Sequence, residues 1–474
     1  MNDDSVPSID RRTRTEKDLL GFREIPADAY WGIHTLRAIE NFAITGVPIG
    51  RLPNLIKAFA AVKAAAARAN YQLEELDETR FEAITAACCD IAQGELSDQF
   101  LVDAVQGGAG TSTNMNFNEV IANLALEKRG EPKGTYDVIH PNDHVNLSQS
   151  TNDAYPTAIR IALAYSVTDL ESALDGLEEA LRGKAVEFRA ILKMGRTQLQ
   201  DAVPMTLGQE FGAFATTVKR DREHLKSAAA ELNTINLGAT AIGTKLNTPP
   251  GYADVVCEAL RSLTKLPLRT APDLIEATSD CGAFLNLSST LKSVAVRLGK
   301  MCNDLRLLSS GPRAGLADIS LPAVQAGSSI MPGKTNPVIP ETLNQVAFQI
   351  VGYDLTVTMA VESGQLQLNA FEPVIFHTLS LGLSQLTEAV RALTQRCIVG
   401  ITPNVEKLSR DVEGSIGLIT ALNPYIGYTA ASELAEQART TGKGVTELVL
   451  EMRLLTPQQL AAILLPESLT HGRA

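Results

Sequence analysis

The run Gly327-Ser328-Ser329-Ile330-Met331-Pro332-Gly333-Lys334-Thr335-Asn336-Pro337, closing at Glu341, holds two glycines and two prolines between stretches that read as helix. Such a segment turns its backbone and presents N–H groups, and Ser328, Ser329, Lys334 and Asn336 add hydroxyl, ammonium and amide donors. That donor set suits an anion. Three further polar segments have the same character: Gly110 to Asn116, Ser148 to Asp153 and Gly195 to Asp201. They are expected at or near helix ends, where unpaired N–H groups and the positive end of the dipole favour carboxylates.

The glycine spacing of Gln106-Gly107-Gly108-Ala109-Gly110 matches neither the dinucleotide nor the P-loop pattern. No histidine lies in the Gly327–Asn336 run, so no Ser-His-Asp arrangement is visible there; a Ser–His pair formed through folding, with His140 or His144, stays open. His140 and His144 have the i,i+4 spacing of metal ligands, but Pro141 interrupts the helix such a site needs. Structural or supporting roles are expected for both histidines.

Together the four segments resemble the blocks of the fumarase/aspartase superfamily of lyases, whose signature loop reads G-S-S-x-M-P-x-K-x-N. The resemblance runs from Leu19-Leu20-Gly21 to Leu454-Leu455-Thr456. It implies a homotetramer whose active sites combine loops of three subunits, and a lyase that converts L-aspartate to fumarate and ammonia without an organic cofactor; some members of the family are activated by a divalent cation. It also implies roles. Ser328 would be the base at Cβ; Thr111, Ser150, Thr151 and Ser329 would bind the β-carboxylate. Asn152, with Thr111 and Gln198, would hold the amino group, and Thr197, Lys334 and Asn336 the α-carboxylate.

The donor list fits that chemistry. A proton beside a carboxylate is very weakly acidic, so its removal requires preorganised donors for the dianionic aci-carboxylate. Serine acts as a base near neutrality only if its alkoxide is stabilised, here by loop N–H groups and Lys334. The alternative within the superfamily is a class II fumarase. Fumarases, like some aspartases, carry histidine after the threonine of the Gly195–Gln198 block, whereas this chain has Gln198, which cannot take up a proton but can accept from an ammonium group. A non-catalytic helical scaffold, the alternative of a different class, leaves the four donor segments without use.

Long helices must hold these segments. Apolar residues alternate steps of four and three at Leu163, Val167, Leu170, Leu174, Leu177 and Leu181, and the spacing recurs from Leu207 to Leu232, Phe284 to Leu308, Leu343 to Val357 and Leu379 to Cys397. The second of these runs places Asp221 and Ala228 at seam positions. Five such seams predict an all-α fold of three domains: a mostly helical 1–151, a central bundle of five long helices at 152–400 and a small helical 401–474. Helices at Leu55–Leu73, Phe81–Gln93 and Asn116–Lys128 are expected in the first domain, Asp153 is the expected N-cap of the bundle, and Asn423 to Tyr428 reads as a loop. Second apolar stripes that include Ile159, Ala162, Val186, Phe188 and Leu307 point to burial on more than one side.

The net charge of −12 and pI near 5.2 speak against a nucleic-acid partner, so an anionic substrate depends on local donors. The six cysteines have no C-x-x-C spacing and read as buried free thiols of a cytoplasmic protein. Residues 1–15 lack the apolar centre of a signal peptide and read as disordered, and no stretch has the length of a membrane span.

Overall fold

The computed structural model describes residues 12–470. A hairpin of β1 (Thr13–Asp18) and β2 (Gly21–Pro26) leads into helices α1 (Ile33–Asn41), α2 (Pro53–Gln72), α3 (Glu78–Ala92), α4 (Thr111–Lys128) and α5 (Thr151–Glu187). A second hairpin, β3 (Leu192–Thr197) with β4 (Gln200–Thr206), precedes α6 (Leu207–Ala229), α7 (Tyr252–Thr264), α8 (Leu274–Ser279), α9 (Gly282–Leu308), α10 (Val338–Glu362) and α11 (Glu372–Arg396). Short helices close the chain: α12 (Val405–Gly414), α13 (Leu418–Ile426), α14 (Tyr428–Thr441), α15 (Val445–Glu451), α16 (Pro457–Ile463) and α17 (Pro466–Thr470).

The helical class holds, and all five predicted seams are on helices. Their apolar residues are buried, apart from Val346 and Tyr353, which are half-buried. The chain divides into two compact units, and every division falls inside one of the five long helices. Among the described residues, the first comprises the chain up to Asp169, Leu225–Leu291 and Val351–Ser384; the second comprises Leu170–His224, Lys292–Ile350 and the chain from Gln385 onward.

In the first unit, Phe59 of α2 stacks on Phe117 of α4 at 4.4 Å between ring centroids, and Phe100 and Tyr155 of α5 complete a buried aromatic centre. In the second, the seam residue Asp221 of α6 is fully buried 2.9 Å from Arg297 of α9, and the Asn344 amide of α10 donates to the Gly299 carbonyl of α9 at 2.9 Å. The short C-terminal helices close over Leu418, Leu422, Leu434, Val445 and Leu448.

Several expectations need correction. Thr13–Thr15 are in strand β1, where Thr13 and Thr15 bond Glu24 across the hairpin, whereas residues 1–11 lie outside the described residues. Helix α4 begins five residues before the expected Asn116, so Thr111 opens a helix. The cap of α5 is Ser150: its Oγ accepts from the Asn152 N–H at 3.2 Å, while the Asp153 carboxylate accepts from the Ser150 N–H at 2.9 Å. Pro156 lies beyond the first turn; it cannot donate to the Asn152 carbonyl, and the Asn236 amide donates there instead at 3.0 Å.

Gly195–Asp201 is a hairpin and not a helix end. Asn423–Ile426 continue α13 despite Pro424, because burial of Leu418, Ile419 and Leu422 outweighs the proline. Ile159, Ala162 and Phe188 are buried within the chain itself, whereas Val186 and Leu307 are exposed. Five of the cysteines are buried; Cys89 is exposed.

Candidate active site

The first unit brings two of the four polar segments together. Gly110 (φ +87°) lies directly over the Tyr155 ring, one turn into α5, where a Cβ at position 110 would stand 2.4 Å from the ring carbons. Only a glycine lets the backbone come this close, and the approach brings the start of α4 against the start of α5. The Asn114 side chain joins them, donating to Thr151 Oγ1 at 3.2 Å. Thr111 is exposed, with Oγ1 on the Gly108 carbonyl at 2.8 Å; Ser150, Thr151 and Asn152 are half-buried. The Asn152 Nδ2 is engaged by the Ala241 carbonyl at 2.8 Å, which leaves Oδ1 as the acceptor the amide can offer.

Beneath this pair of helix starts is a buried polar layer that the sequence reading overlooked. The fully buried Lys63 ammonium donates to Asn114 Oδ1 at 2.7 Å, Gln149 Oε1 at 2.9 Å and Asn146 Oδ1 at 3.0 Å. Burial pulls this lysine down to about 7, with the Asp153 charge working in the opposite direction. Asp153, also fully buried, accepts from the N–H groups of Ser150, Gly238 and Thr240, yet burial pushes its carboxyl up to about 7. A signal was present: Lys63 lies four residues after Phe59, on the apolar side of an alanine-rich helix.

The second unit carries the other two segments. Gln198 and Leu199 both have positive φ (53° and 63°), the geometry of a two-residue hairpin turn, here made without glycine. Thr197 and Gln198 are exposed at its tip. Its flanks are tied down. Arg196 pairs with the fully buried Asp318 at 2.6 Å, Lys193 lies 3.3 Å from the same carboxylate, and Asp201 accepts from the Ser415 hydroxyl at 3.0 Å. Burial alone would raise Asp318, but the bond from Arg196 and the Lys193 charge outweigh it and hold the carboxyl below its usual range.

The Gly327–Asn336 loop closes on itself. The Gly327 N–H donates to the Lys334 carbonyl at 2.8 Å, and the Asn336 amide donates to the Gly327 carbonyl at 2.7 Å. Ser328 Oγ accepts from the backbone N–H groups of Met331 at 3.0 Å and Ile330 at 3.2 Å. These two dipoles converge on the oxygen that would carry an alkoxide charge. Ser328 is half-buried, Ser329 and Lys334 are exposed, and Asn336 is half-buried. Both histidines bond locally: His144 Nδ1 accepts from the His140 N–H at 2.8 Å, and His140 Nδ1 accepts from the Asn142 and Asp143 N–H groups at 3.1 Å, so both cap the π-helical turn Pro141–Val145.

These blocks have counterparts in known proteins. The family described as Lyase matches residues 21–352, and that described as Fumarase C C-terminus matches residues 418–471. The chain belongs to the fumarase/aspartase superfamily of lyases. Among its relatives in that superfamily, the aspartate ammonia-lyase of Pseudomonas aeruginosa is 57% identical over 97% of this chain and 98% of its own. That of Escherichia coli strain K12 is 53% identical over 97% and 96%. Among solved structures, the fumarate lyase:delta crystallin from Brucella melitensis bound to cobalt aligns with a TM-score of 0.93 at 53% identity, over 95% of this chain and 98% of that one. The class II fumarase from Schistosoma mansoni aligns with a TM-score of 0.88 at 34% identity, over 96% and 98%. The superfamily's helical fold is therefore shared across the chain's length.

Proposed function

We propose that the protein is a cytoplasmic ammonia-lyase that interconverts L-aspartate with fumarate and ammonia. What carries the choice within the superfamily is a gap in similarity: 57% and 53% identity to aspartate ammonia-lyases against 34% to a class II fumarase. Gln198 favours the same side, since its amide can accept from a charged amine and cannot carry a proton for hydration.

In this reading Thr197, Lys334 and Asn336 bind the α-carboxylate. Thr111, Ser150, Thr151 and Ser329 bind the β-carboxylate, and Asn152, Thr111 and Gln198 hold the amino group. Ser328 Oγ, as an alkoxide stabilised by the Ile330 and Met331 N–H groups, takes the Cβ proton. The C–H electrons move into the β-carboxylate as the aci-carboxylate forms; they return to make the Cα–Cβ double bond while the C–N pair leaves with ammonia. No organic cofactor takes part in this scheme.

The working form in this proposal is a homotetramer whose sites draw loops from different subunits. The support is an exposed apolar stripe on α10, Phe348, Val351, Leu355 and Met359, at helical spacing. Among the described residues no helix is long and apolar enough to cross a membrane.

Adding L-aspartate to purified enzyme should produce the ultraviolet absorbance of fumarate, and L-malate should produce little or none. A preference for L-malate would overturn the assignment. Inactive Thr111→Ala and Ser328→Ala proteins, dissociated and reassembled together, should regain activity; mixed tetramers as dead as their parents would refute shared sites.

A further inference from the structure

The Lys63 ammonium has three protons and three acceptors, and all three acceptors are side-chain amide oxygens, those of Asn114, Asn146 and Gln149. Among the described residues Lys63 makes no ion pair, so a fully buried cation is held by neutral dipoles under the start of α5. This arrangement fixes which way the Asn114 amide faces. With Oδ1 held by the ammonium, Nδ2 must point away, and its two hydrogens go to Asn146 Oδ1 at 3.1 Å and Thr151 Oγ1 at 3.2 Å. A threonine oxygen that accepts from an amide N–H keeps its own proton for another partner. The Thr151 hydroxyl is thereby left to donate outward.

We propose that Lys63 is a positioning residue which, by locking the Asn114 amide, makes Thr151 an obligate donor to the β-carboxylate and to the aci-carboxylate formed from it. The inference rests on the proposed aspartate chemistry. Without the ammonium, Asn114 could rotate and present Oδ1 to Thr151, and the hydroxyl proton would turn inward. That proton bonds most strongly to the charge that builds up in the transition state, so the loss falls on turnover more than on substrate affinity.

The test uses the full-length enzyme and two inhibitors. One is succinate; the other is the dianionic nitronate of the aspartate analogue in which a nitro group replaces the β-carboxylate, a mimic of the aci-carboxylate. Lys63→Met should lower kcat at least ~tenfold and weaken nitronate inhibition by a similar factor, with KM and succinate inhibition changed less than ~threefold. Asn114→Asp keeps the partner of the ammonium and removes the donor to Thr151, so it should give the same split; it also carries the test if Lys63→Met does not fold. In a Thr151→Val background Lys63→Met should add little further loss, because the path runs through the hydroxyl. Equal losses of succinate and nitronate affinity, or full additivity with Thr151→Val, would overturn the inference. Wild-type enzyme that forms no fumarate from L-aspartate would instead overturn the function on which it rests.

Discussion

The Ser150–Asn152 turn and the Gly327–Asn336 loop offer the same kinds of donor but are held by opposite means. The first stands on a buried layer of lysine, carboxylate and amides, with a tyrosine ring pressed against the neighbouring glycine. The second is held by backbone and amide bonds within itself, and Ile330 (83% exposed) and Met331 (47%) face outward. A donor on a packed helix start is fixed before substrate arrives. A loop with exposed apolar side chains presents a surface suited to being covered, by substrate or by another subunit. Preorganisation is thus built into the Ser150–Asn152 turn, while Ser328, the proposed base, sits on the open loop.

The largest expected effect probes the open loop. Ser328→Ala should reduce turnover at least ~100-fold with the assembly intact by size and thermal unfolding, since removing a general base costs about that much. Near-normal turnover would remove Ser328 from the chemistry.

Next comes the crowded half. Gly110→Ala must seat a methyl group 2.4 Å from the ring of the buried Tyr155 while keeping φ at +87°. A loss of about 2–4 kcal/mol is expected, read as a drop in the thermal midpoint. Wild-type stability would show that the two helix starts are not tightly apposed.

A pH dependence follows from the buried layer. Asp153 is raised from 3.8 to about 7, so between those values the folded state keeps a proton that the unfolded state releases, and stability falls as pH rises through that window. Lys63 is lowered from 10.5 to about 7, so above pH 7 the unfolded state holds the extra proton and the contribution climbs again up to about pH 10. Denaturant titrations of Asp153→Asn should show a smaller decline between pH 4 and 7 than wild type. An unchanged slope would mean that the carboxyl is not held neutral in the fold.

The smallest effect is Gly333→Ala. Its φ is +79° but nothing lies within 4 Å of the added carbon, so only the left-handed backbone resists, at about 1 kcal/mol. If Gly333→Ala is as damaging as Gly110→Ala, the contrast between a packed and an open segment fails.

Much of the fold was legible because its signal is local. A heptad seam such as Leu163 to Leu181 is visible in one segment, and every residue of that seam is buried. Where a cap or a strand pair decided the outcome, local pattern misled. Asp153 looked like a cap and proved to be the carboxylate that caps Ser150, and the Gly195–Asp201 hairpin relies on positive φ at Gln198 and Leu199, with no glycine at either turn position to announce it. Pro424 argued for a loop that the burial of Leu418 and Leu422 turned into helix.

The sequence by itself determined the helical class, the five long helices, the donor segments and the family resemblance, because periodicity and side-chain chemistry are properties of neighbouring residues. Tertiary structure alone decided that Asn114 of α4 reaches Thr151 at the start of α5, that Gly110 is required by a ring 45 positions away, and that Lys63 and Asp318 are buried beneath donors distant in sequence. The reason is physical: a buried charge is tolerated only where several chain segments converge to solvate it, and no local pattern encodes that convergence.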